Sequence, residues 1–205
     1  MFDALALISV LAFMMLLKTF VSVFPSILAA AIRWKESINI ESSVRLSRDR
    51  DFTAIAMIIP FCLAVYRFRL YNPDFIAKLP DNARLWAVIG MVVTYFLIRK
   101  GASMLIHPRK TAKKTITAAE KSANTFFILL TLAILSIGSL CLFFGATPGA
   151  IRVTCLWLSA LIYGLYLLRK LQIFTSSCSL FVAFLYLCAL EILPTGILVV
   201  SDIIF

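Results

Sequence analysis

Six runs of apolar residues, each close to the length a helix needs to cross a lipid bilayer, leave this chain few alternatives to a membrane fold. They cover roughly residues 3–24, 52–70, 85–106, 123–145, 149–168 and 178–201, and charged residues or Pro and Gly separate them. At about 1.5 Å per residue each can cross a hydrocarbon core about 30 Å thick, where a continuous helix satisfies its own backbone. The expected fold is therefore all-α, a polytopic transmembrane bundle of about six spans forming a single integral membrane domain over 1–205. Composition agrees with this, since 62% of residues are hydrophobic and only 15% are charged, outside the usage of soluble domains. Residues 145–149, Gly-Ala-Thr-Pro-Gly, are a turn signal that makes the fourth and fifth spans a hairpin.

The basic residues give the bundle an orientation. Sorted by alternate loops, fifteen of the twenty Lys and Arg fall on one side: Lys18 to Arg50, Arg99 to Lys121, and Arg169 with Lys170. Arg67, Arg69, Lys78, Arg84 and Arg152 fall on the other. Because cytoplasmic loops carry the excess of Lys and Arg, both termini are expected outside the cytoplasm. The net charge of +10 is thus explained by topology and anionic headgroups, and nucleic acid is not an expected partner. Lys18, Arg67 and the Arg99-Lys100 pair fall near span ends, where long side chains snorkel to the interface. Trp86 and Trp157 are expected at the outer boundary and Trp34 at the inner one. Residues 25–50 mix apolar residues with alternating charges, as an amphipathic segment on the inner surface would. The basic third loop, residues 108–121, suits an extended helix end or a collar against lipid headgroups. Met1-Phe2-Asp3 lacks the positive start of a signal peptide, so the amino-terminal segment is expected to be retained.

Glu191 is the acidic side chain set deepest in an apolar run, three residues before Pro194. Pro194 cannot donate to the carbonyl of Leu190 and crowds it, so the last helix is expected to kink beside the acid. Desolvation favours a neutral Glu191 carboxyl able to donate to a freed carbonyl or a polar neighbour. In one reading Glu191 fixes helix packing by hydrogen bonding or ion pairing, with Asn124, Tyr163, Tyr166 or a basic residue as partner. In the other it binds a proton or cation in a translocation path. Tyr186, Pro194 and Asn124 complete this candidate site.

A second candidate lies at the opposite end. Arg67, Arg69, Arg84 and Arg152, with Tyr71, Asp74 and Asp81, fall on two short loops and suit an anionic lipid headgroup or a lipid phosphate. Ala160 and Gly164 form a small-x-x-x-small face that permits close helix packing. Cys62, Cys141, Cys155, Cys178 and Cys188 read as buried thiols, without the spacing of disulfides or metal ligands. One histidine, His107, leaves no metal or haem centre expected, and no cofactor. Hydrolase and nucleotide-binding motifs are absent from the sequence.

The segment Leu185-Tyr186-Leu187-Cys188-Ala189-Leu190-Glu191-Ile192-Leu193-Pro194 resembles the C-terminal signature of an uncharacterised multi-pass membrane family of Gram-negative bacteria, a domain of unknown function. The charged first loop, the basic turn after the third span, the Glu120 and Asn124 pair and the short hairpin extend the resemblance. Thr195-Gly196 departs from the more apolar ending of that family. The resemblance implies a bacterial inner-membrane location and a focus at Glu191. The expected function is a non-enzymatic membrane component or scaffold that docks proteins or lipids, with a protein partner or homo-oligomer. The alternatives are a small transporter using Glu191 and a membrane enzyme acting on a lipid phosphate at the outer arginines.

Overall fold

Helix is the regular element throughout the computed structural model, which describes residues 2–71, 73–105, 113–176 and 179–204. Its order is α1 (Phe2–Ile32), α2 (Trp34–Ser42), α3 (Val44–Ala56), α4 (Ile58–Arg67), α5 (Asp74–Ala77), α6 (Asp81–Leu105), α7 (Lys113–Phe143), α8 (Pro148–Thr175) and α9 (Leu180–Leu187), followed by a π-turn (Cys188–Ile192) and α10 (Leu193–Ile204). His107 and Cys178 lie outside the described residues. Three stretches among the described residues are long and apolar enough to cross a membrane: Thr117–Phe143, Pro148–Thr175 and Leu180–Asp202. In α1 the stretch Leu17–Ile32 is apolar but shorter.

The run at 52–70 is not one rod. Pro60 has no N–H for the carbonyl of Ala56 and its ring crowds that carbonyl. The helix accordingly breaks at Met57 between α3 and α4. Other helices extend past the apolar runs. The first helix passes through Pro25 and ends at Ile32. The eighth runs to Thr175, so Arg169 and Lys170, expected in a loop, are helical.

Within residues 25–50, expected as an amphipathic segment on the inner surface, α2 and α3 dock onto α7 through buried charge. Arg50 is 1% exposed and pairs with Glu41 at 2.6 Å and Asp51 at 2.8 Å. From α7, Lys121 reaches Glu41 and Asp51 at 3.3 Å each and donates to Ser47 Oγ at 2.9 Å. Asn124 donates to Asp51 Oδ1 at 3.0 Å. Burial raises the Asp51 pKa, but the hydrogen bonds from Asn124 and Arg50 outweigh it, with the charges of Arg50 and Lys121 adding to them, and hold the carboxyl below its ordinary range. Trp34 is partly buried and packs against the apolar cluster of Ala119, Ile173, Phe174, Ala183, Tyr186 and Leu190. Trp86 and Trp157 are exposed.

The expected hairpin joins α7 to α8. Gly145 has φ +70°, and the hydrogen bonds Gly145 N–H to Leu142 O and Ala146 N–H to Cys141 O, both 3.0 Å, close α7 with a Schellman motif. Thr147 then caps α8 and Pro148 occupies its first turn. The same motif ends α4, where Arg69 N–H bonds to Tyr66 O and Leu70 N–H to Val65 O. There the left-handed position belongs to Arg69, at φ 51°. Phe68 beside it packs with Val65, Val88, Ile134 and Ile151, and an ideal Cβ on Gly138 would stand 2.5 Å from its ring. Gly138 therefore lets α7 approach α4 closely. By contrast, the Ala160 and Gly164 face is not used for packing within the fold, since a Cβ on Gly164 meets nothing within 4 Å.

Candidate functional site: a buried carboxylate held by two cations

Pro194 leaves its mark one turn before itself. The helix widens to a π-turn over Cys188–Ile192, closed by Leu193 N–H to the Cys188 carbonyl, and returns to α geometry at Leu193. The expected disruption thus takes the form of an inserted residue, a feature concentrated at functional sites. Glu191 sits inside that turn at 2% exposure.

Of the partners expected, basic residues take the carboxyl, so it is ion-paired where desolvation alone would favour a neutral group. Arg99 of α6 donates to Glu191 Oε1 from Nη2 at 2.9 Å and Nε at 3.2 Å. Lys170 of α8, itself 2% exposed, donates to the same oxygen. Two cationic donors on one oxygen make this an ion pair. Tyr166 completes the first layer: its hydroxyl accepts from Arg99 at 2.5 Å and Lys170 at 3.2 Å, and both cations lie within 6 Å of its ring centre. A second layer holds the backbone of the turn. Tyr163 donates to the Glu191 carbonyl at 2.9 Å and lies 3.1 Å from Thr195 Oγ1, which is 3.0 Å from the Tyr95 hydroxyl. Three long elements, α6, α8 and the last helix, therefore meet at one carboxylate.

Of the residues read from the sequence, Glu191, Tyr163 and Tyr166 come together. Asn124 does not join them, because its amide is engaged by Asp51. Tyr186 is buried one turn away and stacks edge-on against Phe174 at 4.7 Å. Its hydroxyl, like Glu191 Oε2, is buried without a hydrogen-bond partner among the described residues. Arg99 and Lys170, read as interfacial or loop charges, are the residues that sequence reasoning missed. Their signal was helical spacing: Tyr163, Tyr166 and Lys170 share one face of α8, and Tyr95 and Arg99 one face of α6.

The outer arginines separate into two groups. Arg67, Arg69 and Arg152 line a cavity of about 500 Å³ with Phe68, Leu142 and Ile151. Arg84 is not part of it, being 9% exposed with its guanidinium 5.9 Å from the Tyr66 ring centre. Tyr71 is turned to Ser201, at 2.7 Å between hydroxyls. The four described cysteines are free thiols, Cys62 and Cys155 buried.

No curated protein and no solved structure matches the chain at a significant level. A family model described as a domain of unknown function, DUF4271, matches residues 4–200, nearly the whole of the fold that carries the Arg99, Lys170 and Glu191 cluster. The chain belongs to that family.

Proposed function

We propose that this protein is a non-enzymatic integral component of a bacterial inner membrane, which docks partner proteins or lipids through its helical faces and its basic inner surface. In this reading it is a six-span bundle with both termini on the periplasmic side. Three membrane-length helices support the placement, and the distribution of Lys and Arg supports the orientation. In this reading the remaining spans are α1, the broken α3 and α4, and α6.

One observation carries the choice of a passive component over a transporter. Glu191 is clamped by Arg99 and Lys170 from two other helices, and it does not line the cavity at Arg67, Arg69 and Arg152. A carboxylate that carries a proton or cation needs a wet route to it and a charge free to change. A carboxylate shared by two cations instead fixes the relative positions of three helices. Its residues are a lock, and the faces around it are what partners meet.

Reconstitution tests this reading. Proteoliposomes holding a pH-sensitive dye are expected to show the same proton and cation leak with wild type and with Glu191→Gln, while the variant melts at a lower temperature. Proton- or cation-coupled flux present in the wild type and lost in Glu191→Gln would replace the lock with a translocation site. Single-cysteine labelling from each side of sealed inner-membrane vesicles checks the topology, and termini reactive from the cytoplasmic side would overturn the orientation.

A further inference from the structure

We infer that the cavity between the end of α4 and the start of α8 is a binding site for one anionic phospholipid, with Arg67, Arg69 and Arg152 on its phosphate and Phe68, Leu142 and Ile151 along its apolar part.

The argument begins with the backbone at Arg69. Gly145 and Arg69 hold the same left-handed position in two Schellman motifs of one fold. Gly145 is the ordinary solution, because a Cβ crowds the following carbonyl in that conformation. An arginine in the second case keeps a strained residue where glycine would close the helix as well. Such an outlier points to a use for its side chain. That side chain lines the cavity, with Arg67 two residues before it and Arg152 across from both.

Charge and shape then select the ligand. Arg152 pairs with Asp202 at 3.1 Å, but its Nε is buried without a partner. Arg67 and Arg69 make no ion pair among the described residues. Three guanidinium groups against the carboxylate of Asp202 leave the site positive. Guanidinium forks match the several acceptor oxygens of a phosphate, where a single carboxylate offers fewer. The remaining walls are apolar, so a soluble phosphate would leave Phe68, Leu142 and Ile151 without a counterpart, whereas a lipid supplies glycerol and acyl carbons. Phe143 and Phe144, exposed just beyond Leu142, are further apolar groups near this end. The site rests on the membrane placement proposed above and is independent of the lock at Glu191.

Arg69→Gly makes the test clean, since it removes the guanidinium and relieves the backbone together. Arg152 is a poorer probe, because its loss also unpairs Asp202. Full-length protein in neutral detergent is titrated with phosphatidylglycerol or phosphatidylcholine and bound lipid is counted by native mass spectrometry, with inorganic phosphate as a separate competitor. The wild type is expected to retain one phosphatidylglycerol at least about tenfold more tightly than phosphatidylcholine. The preference should vanish in Arg67→Gln/Arg69→Gly, persist in Glu191→Gln, and leave the melting temperature of Arg69→Gly no lower than wild type. Equal binding of the two lipids, or a preference unchanged in the double variant, overturns the site. Displacement of the lipid by inorganic phosphate at equal concentration overturns the lipid as its ligand.

Discussion

Replacing Glu191 with glutamine removes the single negative charge that Arg99 and Lys170 share while keeping nearly the same volume. Lys170 is 2% exposed and Arg99 18%, so the lysine has no access to water and the arginine a little. The variant leaves two cations facing each other, with Glu120 as a more distant negative charge acting on Lys170. Removing one partner of a buried ion pair costs about 3–5 kcal/mol. The partial exposure of Arg99 places the expected loss toward the lower end, about 3 kcal/mol. For a chain of this size that lowers Tm by about 6–12 °C. Lys170→Met is the informative contrast. It leaves Arg99 and Glu191 as a balanced pair and gives up one hydrogen bond to Tyr166, so about 1 kcal/mol, or at most about 4 °C, is expected. Fluorescence-detected size exclusion after heating, in one mild detergent, ranks the variants. The reasoning fails if Glu191→Gln melts within about 2 °C of wild type, or if Lys170→Met loses more than Glu191→Gln.

Gly138→Ala forces the Phe68 ring away from α7 and is expected to cost about 1–3 kcal/mol, with Phe68→Leu in the same chain restoring part of the lost Tm. Asp51 has a pKa held below its unfolded value, so its contribution to stability is present above that value and is lost as pH falls through the folded one. Melting temperature should therefore drop on acidification below about pH 4, and Asp51→Asn should flatten that drop, as read from melting curves across the acid range.

Apolar run length was legible because hydrocarbon imposes it, and the hairpin was legible because Gly145, Thr147 and Pro148 each have a local preference for that turn. The break at Met57 was also written locally, in Pro60. Glu191 stood out by its neighbours in sequence alone. What stayed hidden was the pairing, since a sequence shows which charges exist but not which helix faces meet. Arg99 and Lys170 looked like span-end cations because each lies near the end of its apolar run, and a snorkelling side chain and an inward-turned one have the same neighbours in sequence. Their tyrosine stripes at helical spacing marked the inward face. The partners of Arg50 were hidden for a similar reason: alternating charges describe a solvated face and a docked one equally well until Lys121 and Asn124 arrive from α7. The cavity at Arg67, Arg69 and Arg152 depended on folding α4 back beside α8, although the loops that hold its arginines were visible.

The most direct test of the lock is a charge exchange between Lys170 and Glu191. Glu191→Lys alone gathers three cations at one point and should lower Tm further than Glu191→Gln. Combining it with Lys170→Glu restores the charge balance across the same helix contact and is expected to recover at least about half of that loss, because residues in one ion-pair network couple strongly. A double variant whose loss in Tm equals the sum of the two single losses would mean that these side chains do not meet, and the clamp on Glu191 would be wrong.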